Sequence, residues 1–183
     1  TVKNEFPIVI CCDFEKNPLI WPLAQTDGKT VWVVDEIYLR NATTRDMAEE
    51  IIRRYGRHPQ GFLIYGSAVG AIRANVGKSD YAILSELGLS RQFVKRTNAP
   101  DIDRINAVNN MLENIAGETR LTYHSQCVHL RKDFEQAIWR DDRSDIDRTD
   151  FGRGHSSDAL GYFIEYRWPL KKTRPPATER FYK

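Results

Sequence analysis

The stretch Pro7 to Phe14, which reads Pro-Ile-Val-Ile-Cys-Cys-Asp-Phe, decides the fold. Its β-branched and small apolar residues predict a buried strand, and this strand ends at a single carboxylate, Asp13. A second strand is predicted from about Leu19 to Thr26 and a third from Thr30 to about Leu39. The pair Asp27-Gly28 between them is favoured in hairpin turns. We therefore predict an antiparallel three-strand meander at the start of the chain.

Helical spacing follows the meander and then alternates with short apolar runs. Thr43 and Asp46 form a capping-box-like start to a helix that ends at Gly56. The run Phe62 to Tyr65 is typical of a strand covered on both faces. Further elements are predicted at Ser79 or Asp80 to about Leu87, Phe93-Val94, Asp101 to about Ile115, Leu121 to Tyr123 and Val128 to Trp139, and a last helix begins after Ser156 or Ser157 and runs to about Arg167. This order predicts an α/β domain whose mixed sheet, a meander followed by parallel strands, is flanked by helices.

Composition limits the possible classes of protein. With 183 residues, 41% hydrophobic, 28% charged and a net charge of +2, the chain has the profile of one globular domain. No apolar run approaches the roughly 20 residues of a membrane span. The three cysteines have no zinc-binding spacing, and we expect reduced, packed thiols in a reducing cytoplasm. We predict a single soluble domain over residues 1–183, with a flexible charged loop at 140–154 and a flexible basic tail at 169–183.

Two carboxylates are the first candidates for chemistry. Asp13 lies at the end of a predicted strand, where it either serves a function or caps the following loop. Asp158 lies in the first turn of the last helix, where helix-start electrostatics is the alternative explanation. The small neighbours Ala159 and Gly161 allow this helix to approach the sheet and bring Asp158 toward Asp13. Converging carboxylates suggest a site for a hard divalent cation such as Mg²⁺ or Mn²⁺.

A set of short motifs extends over almost the whole chain in a fixed order. They are Cys12-Asp13-Phe14 with Asn17-Pro18, Asp35-Glu36-Ile37 with Asn41 and Thr43, Tyr65-Gly66 with Gly70, Lys78-Ser79-Asp80-Tyr81, Asp103-Arg104-Ile105-Asn106 with Val108-Asn109, His129-Leu130 with Lys132-Asp133 and Glu135, and His155 with Ser157-Asp158-Ala159-Leu160-Gly161-Tyr162. In order and spacing this set resembles the C-terminal nuclease domain of phage large terminases, the DNA-packaging motor subunits. The resemblance implies a ribonuclease H-like fold.

The resemblance also implies a metal site of three acidic residues that bind up to two Mg²⁺ or Mn²⁺ ions. Asp13 matches the first of them and Asp158 the third, whereas Ser67 stands at the position of the second. A hydroxyl is a weak, neutral ligand, so we expect one ion to bind more loosely. His155 is a further candidate, either as a metal ligand or as a proton shuttle, with helix capping as the alternative.

Three explanations of Ser67 are open. In a natural variant, another carboxylate, such as Glu15 or Asp80, or a water supplies the missing ligand. Alternatively, Ser67 is a natural or introduced substitution that lowers activity. Finally, the loop alignment is shifted by a few residues, although Tyr65, Gly66 and Gly70 fix it.

The function that the resemblance implies is metal-dependent endonuclease cleavage of concatemeric viral DNA during packaging, in the cytoplasm of the infected bacterial host. Expected partners are double-stranded DNA, the ATPase domain of the intact subunit, the small terminase and the portal, with no membrane. The alternatives are a ribonuclease H-like domain that binds DNA or a partner without cleavage, and a resolvase or transposase core. Candidate DNA contacts are Arg73, Lys78, Arg104 and Arg153, because phosphate contacts need only charge and reach. No phosphate-binding-loop motif occurs, so we expect the motor ATPase to lie outside this chain.

Overall fold

The structure is a computed structural model that describes residues 1–14, 17–72, 77–136 and 154–170. Six strands form one mixed sheet in the spatial order β5-β4-β1-β2-β3-β6. β1 pairs antiparallel with β2 and β2 with β3, whereas β4 is parallel to β1, β5 to β4 and β6 to β3. The predicted meander followed by parallel strands is therefore confirmed. The strands are β1 Ile8–Cys12, β2 Leu19–Thr26, β3 Val31–Leu39, β4 Phe62–Gly66, β5 Gln92–Phe93 and β6 Leu121–Tyr123.

Five helices are described, together with a short 3₁₀ turn, Ala68–Ala71, directly after β4. The first of them has the predicted capping box between Thr43 and Asp46. The last begins at His155, two or three residues earlier than expected, because Gly154 takes the left-handed conformation (φ 87°) at its N-cap. The helices are α1 Thr44–Tyr55, α2 Asp80–Glu86, α3 Asp101–Leu112, α4 Val128–Gln136 and α5 His155–Arg167.

The sheet is buried on both faces, which gives three layers. Alternate residues of β1 point to opposite faces, so that Ile8, Ile10 and Cys12 pack with α1 and α2 while Val9 and Cys11 pack with α3, α4 and α5. Continuous apolar strands are the expected pattern for such double coverage. The edge where β1 and β4 end therefore lies between the two helical layers.

The hairpin between β2 and β3 contains the predicted Asp27-Gly28 pair, but its loop is longer than two residues. Thr26 pairs with Val31, which leaves Asp27 to Thr30 in the loop. The Asp27 carboxylate accepts the backbone N–H groups of Lys29 at 2.9 Å and Thr30 at 2.7 Å, and Gly28 has a φ of 93°. The turn is thus closed by the side chain of Asp27.

Cys11, Cys12 and Cys127 are free and buried, which confirms the expectation of packed thiols. Burial raises the pKa of the Cys11 and Cys12 thiols well above the usual value and that of Cys127 to about 12. None of the described helices has the length and apolar composition to cross a lipid bilayer. The predicted loop before Gly154 and the predicted tail beyond Leu170 lie outside the described residues.

Two glycines near the ends of β1 and β4 allow close packing that no larger residue permits. A Cβ atom at Gly66 would lie 2.6 Å from the Cys12 carbonyl oxygen and 2.8 Å from the Tyr81 hydroxyl. At Gly70 it would lie 2.3 Å from the nearest atom of the Phe14 ring. Phe14 is held edge-on against Trp21 and Tyr81, with ring centroids at 5.4 and 4.9 Å. The 3₁₀ turn therefore rests directly on Phe14.

Replacing Gly70 with alanine is expected to lower the free energy of unfolding by about 1–3 kcal/mol, because the methyl group overlaps the Phe14 ring, which packs against Trp21 and Tyr81. Urea denaturation measures the change. The control is Gly161→Ala in α5, where the added methyl meets only an ordinary contact of 3.5 Å with Arg104. If the clash is the cause, Phe14→Leu will cost less in the Gly70→Ala background than alone, and strict additivity would contradict the explanation.

Candidate functional site

Asp13 and Ser67 lie side by side because they follow neighbouring parallel strands. The last residues of β1 and β4, Cys12 and Gly66, are direct Cα partners. Ser67 continues this ladder, since its backbone N–H donates to the Cys12 carbonyl at 3.1 Å. Both site residues are buried, with 4% of Asp13 and 1% of Ser67 exposed. The carboxyl end of a parallel strand pair is the usual location of functional side chains in open α/β sheets.

Both positions are fixed by hydrogen bonds from aromatic side chains. The indole Nε1 of Trp21 donates to the Asp13 carbonyl oxygen at 3.0 Å. The hydroxyl of Tyr81 donates to the Ser67 carbonyl oxygen, also at 3.0 Å. Because Trp21 and Tyr81 are themselves buried in the core on the α1 and α2 side, the backbone of the site is held rigidly by the fold.

Asp158 reaches the same edge from α5, which packs across β1, β2 and β4. The pKa of the Tyr162 hydroxyl, one helical turn further on, identifies its surroundings. Burial is the largest cause and raises this pKa. The Arg104 guanidinium and a hydrogen bond with Ser67 lower it, whereas the Asp13 and Asp158 carboxylates raise it. Tyr162 therefore lies within electrostatic reach of both carboxylates and in contact with Ser67. The structure thus brings the three predicted site positions together.

The hydroxyl of Ser67 is fully used by its protein neighbours. It accepts the Asn98 side-chain amide at 3.0 Å and the Val69 backbone N–H at 3.3 Å. It also forms a hydrogen bond with Tyr162, which lowers the pKa of that phenol. A hydroxyl has two acceptor positions and one donor, so Ser67 caps the 3₁₀ turn and has no remaining lone pair for a cation.

Arg104, which the sequence suggests as a DNA contact, lies next to Asp158. Only 6% of its side chain is exposed. Its Nη2 lies 2.6 Å from Asp101 and 3.4 Å from the Asp158 carboxylate, and its Nη1 donates to the Ala99 carbonyl at 2.9 Å. Its guanidinium carbon lies 4.5 Å from the centre of the Tyr162 ring. The i, i+3 spacing of Asp101 and Arg104 could predict the first contact, but nothing in the sequence predicts the second.

The small residue Gly161 allows α5 to pack closely against Arg104 of α3 and not against the sheet. Its nearest neighbours are atoms of Arg104, and an added Cβ would lie 3.5 Å from the Arg104 Cβ. The expected close approach of α5 at Gly161 is therefore an approach to α3. Ala159, which is fully buried, belongs to the core between α5 and the sheet.

Two buried carboxylates position the helices that surround Asp158, and no sequence pattern indicates this beyond the motif resemblance. Glu36 of β3 accepts the backbone N–H groups of His129 at 2.6 Å and Leu130 at 3.0 Å, at the start of α4. Asp133 of α4 accepts those of Gly154 at 2.8 Å and Ser157 at 2.9 Å, at the start of α5. Burial raises the pKa of Asp133, and these backbone hydrogen bonds oppose the rise. The location of Asp158 therefore depends on Asp133.

The remaining candidates either have other described contacts or positions or lie outside the described residues. Lys78 is 64% exposed and is paired with Glu86. The Asp80 carboxylate, a possible replacement ligand, accepts the Thr44 hydroxyl at 2.5 Å. His155 is the first residue of α5, three positions before Asp158. The candidates outside the described residues are Glu15, Arg73 and Arg153.

The donor set limits what the site could hold. Asp13 and Asp158 supply carboxylate oxygens, which hard divalent cations prefer. Within the described ranges, no group of three or more histidine, cysteine, aspartate or glutamate side chains is arranged to hold a metal ion. The residues present therefore fit one oxygen-coordinated cation that completes its shell with water or substrate, because Mg²⁺ commonly uses only one or two protein carboxylates.

Comparison with known proteins identifies the fold. Neither a protein-family model nor a curated protein sequence matches the chain. Among solved structures, the large terminase of a thermophilic bacteriophage in complex with ATP-γ-S aligns at a TM-score of 0.67 and 16% identity, over 87% of this chain and 39% of the other. The nuclease domain of the bacteriophage SPP1 large terminase with bound manganese aligns at a TM-score of 0.61 and 16% identity, over 87% of this chain and 85% of the other. The P22 large terminase nuclease domain aligns at a TM-score of 0.61 and 13% identity, over 91% of this chain and 83% of the other. The chain therefore has the ribonuclease H-like fold of large terminase nuclease domains, and it spans about two fifths of the thermophilic phage protein.

Replacing Asp133 with alanine is expected to lower the free energy of unfolding by about 1–3 kcal/mol, because buried N–H groups at the start of α5 lose their acceptor. Chemical denaturation measures the loss. The control is Glu135→Ala on the same helix, whose side chain is 60% exposed and which should change stability by less than about 0.5 kcal/mol. Equal effects of the two substitutions would contradict the assigned role of Asp133.

Proposed function

We propose that this chain is a metal-dependent endonuclease domain that cuts double-stranded viral DNA during genome packaging. The observation that carries the proposal is the convergence of Asp13 and Asp158 around Tyr162, at the carboxyl ends of β1 and β4. The chain has the fold of large terminase nuclease domains, and one of these, from SPP1, is a structure with bound manganese. Fold and site thus support the same activity from independent observations.

Asp13 and Asp158 would hold the cation, because both present carboxylates at one edge of the sheet and both are at least nine-tenths buried. Carboxylates in such proximity repel one another until a cation neutralises them. When bound, a divalent ion such as Mg²⁺ or Mn²⁺ supplies Lewis-acid stabilisation of the phosphate and lowers the pKa of the attacking water. Ser67 contributes no charge, so the described residues support one ion more readily than two.

The protein supplies rigidity around these ligands. Trp21 holds the backbone of Asp13, and Tyr81 holds that of Ser67. Asp133 holds the first turn of α5, from which Asp158 projects. These fixed positions let the carboxylates meet the ion and the phosphate without rearrangement, which is the main contribution a scaffold makes to hydrolysis of this type.

The partners and the setting follow from the same proposal. The thermophilic phage large terminase was solved with ATP-γ-S, and this chain spans 39% of it. We expect an ATPase domain, the small terminase and the portal to act with the nuclease, in the cytoplasm of the infected host. DNA contacts by Arg73, Lys78, Arg104 and Arg153 stay predictions, and Arg104 also faces Asp158.

A second candidate function is binding of DNA or a partner protein without cleavage. The observation that favours it is Ser67, a neutral residue whose hydroxyl is already saturated by hydrogen bonds. A site with two acidic ligands and not three would activate water poorly. The two functions make different predictions for substitutions at positions 13 and 67.

Asp13→Asn is expected to reduce nicking of supercoiled plasmid in Mn²⁺ by about 100-fold or more, because the isosteric amide removes a charged ligand. The conversion of supercoiled to open-circular DNA measures the rate. Glu135→Gln is the matched control, since it removes one exposed carboxylate and should leave the rate unchanged. Equal nicking by wild type and Asp13→Asn would exclude the proposed role of Asp13.

Ser67→Asp is expected to raise both the Mn²⁺ affinity and the nicking rate by about tenfold or more, because a third carboxylate joins the site. The new side chain meets the Asn98 amide and the Val69 N–H as ready donors. Isothermal titration and the plasmid assay measure the two effects, with Ser67→Asn as the uncharged control. If neither quantity rises above that of the control, the non-cleaving function is favoured.

A further inference from the structure

We infer that Arg104 is a tethered counter-charge for Asp158, which limits the site to one divalent cation and sets the affinity for it. The inference rests on the proposed function, because it concerns the same site. It assigns to Arg104 a positioning role in metal loading. Arg104 would thereby act through Asp158 and not by contact with the reacting atoms.

The guanidinium is built into its position. It is held by Asp101 at 2.6 Å, by the Ala99 carbonyl at 2.9 Å and by the face of the Tyr162 ring at 4.5 Å. Asp158 is the fourth contact, at 3.4 Å, and is longer than the other two polar contacts. The first three contacts therefore fix Arg104 independently of Asp158, so that the carboxylate is exposed to a positive charge that the protein itself supplies.

The burial of this pair makes its charge effective. Only 6% of the Arg104 side chain and 10% of the Asp158 side chain are exposed, so water screens the pair poorly. A guanidinium at this distance lowers the attraction of the same carboxylate for a cation, and a cation bound there is in turn repelled by Arg104. Loading of Asp158 therefore requires the ion to outcompete a resident positive charge.

The neutral side chain at position 67 also disfavours the binding of a second cation. With Ser67 neutral, the three site positions carry two carboxylates, and one of these, Asp158, faces the Arg104 guanidinium. With Arg104 and its partner Asp101 included, the local charge is about −2, so one divalent ion balances it, whereas two ions would leave a charge of about +2. One ion is the number that this balance allows.

The space beside the pair leaves room for an ion next to Asp158. A cavity of about 90 Å³ lies between α3, α4 and α5, and its lining includes Arg104, Asn109, Asp133, Ser157 and Asp158. The Arg104 Nε is buried and has no hydrogen-bond acceptor among the described residues. This Nε lies next to Gly161, and a Cβ atom added to that glycine would be 3.9 Å from it. The cavity therefore gives an ion access to Asp158 while Arg104 keeps its contacts with Asp101, Ala99 and Tyr162.

Mn²⁺ binding, measured by electron paramagnetic resonance of the free ion and by isothermal titration, tests the inference without any cleavage assay. Wild type is expected to bind one Mn²⁺. Arg104→Gln should bind Mn²⁺ about tenfold more tightly or take up a second ion, since the competing charge is removed. Arg104→Lys keeps the charge and should stay within about threefold of wild type.

A matched pair of substitutions, Asp101→Asn and Glu113→Gln, tests the inference by a decrease in Mn²⁺ affinity. This pair keeps the test valid if Arg104→Gln does not fold. Asp101→Asn frees the guanidinium to pair more closely with Asp158, and should weaken Mn²⁺ binding about threefold more than Glu113→Gln does. Glu113→Gln is the control because it makes the same change in net charge at an exposed position, at the opposite end of the same helix.

Two bound ions in wild type, or equal Mn²⁺ affinities for Asp101→Asn and Glu113→Gln, would overturn the inference while leaving the endonuclease proposal intact. One ion whose affinity follows Arg104, in a protein that does not nick plasmid, would support the inference and overturn the endonuclease proposal. The absence of Mn²⁺ binding in wild type and in Arg104→Gln would overturn both.

Discussion

The parallel pairing of β1 with β4 is the constraint on which the site depends. It aligns Cys12 with Gly66, and thereby brings Asp13 and Ser67, which are distant in the chain, to one edge of the sheet. The pairing tolerates no side chain at Gly66, because the Cys12 carbonyl and the Tyr81 hydroxyl occupy that space. The chemistry of the protein is thus tied to backbone hydrogen bonds in its most buried region, where local opening is rarest.

The site is not a simple cluster of acidic residues, because it also contains a buried positive charge. Asp158 faces a buried guanidinium, and position 67 carries a hydroxyl that already has three hydrogen-bond partners. Breaking a buried ion pair by removing one partner typically costs about 3–5 kcal/mol, so Arg104 also contributes to holding Asp158 in place. Structural and functional demands on Arg104 therefore coincide, and substitutions there are best judged by ion binding together with stability.

Much of the fold could be predicted from local pattern. The strand ending at Asp13, the capping box of Thr43 and Asp46, and the order of strands and helices are encoded in short stretches of sequence. The same patterns placed Asp13 and Asp158 at a strand end and a helix start. The contacts of Arg104 with Asp158 and of Asp133 with the start of α5 join residues distant in sequence, and no period or spacing reports such pairs.

The carboxylate contacts between helices have a consequence for how Asp158 is supported. Glu36 on the meander fixes the beginning of α4, and Asp133 on α4 fixes the beginning of α5, the helix that carries Asp158. Asp158 is thus supported through two buried carboxylates that belong to other elements of the fold. A substitution at Glu36 would therefore act on Asp158 indirectly, through the starts of two successive helices.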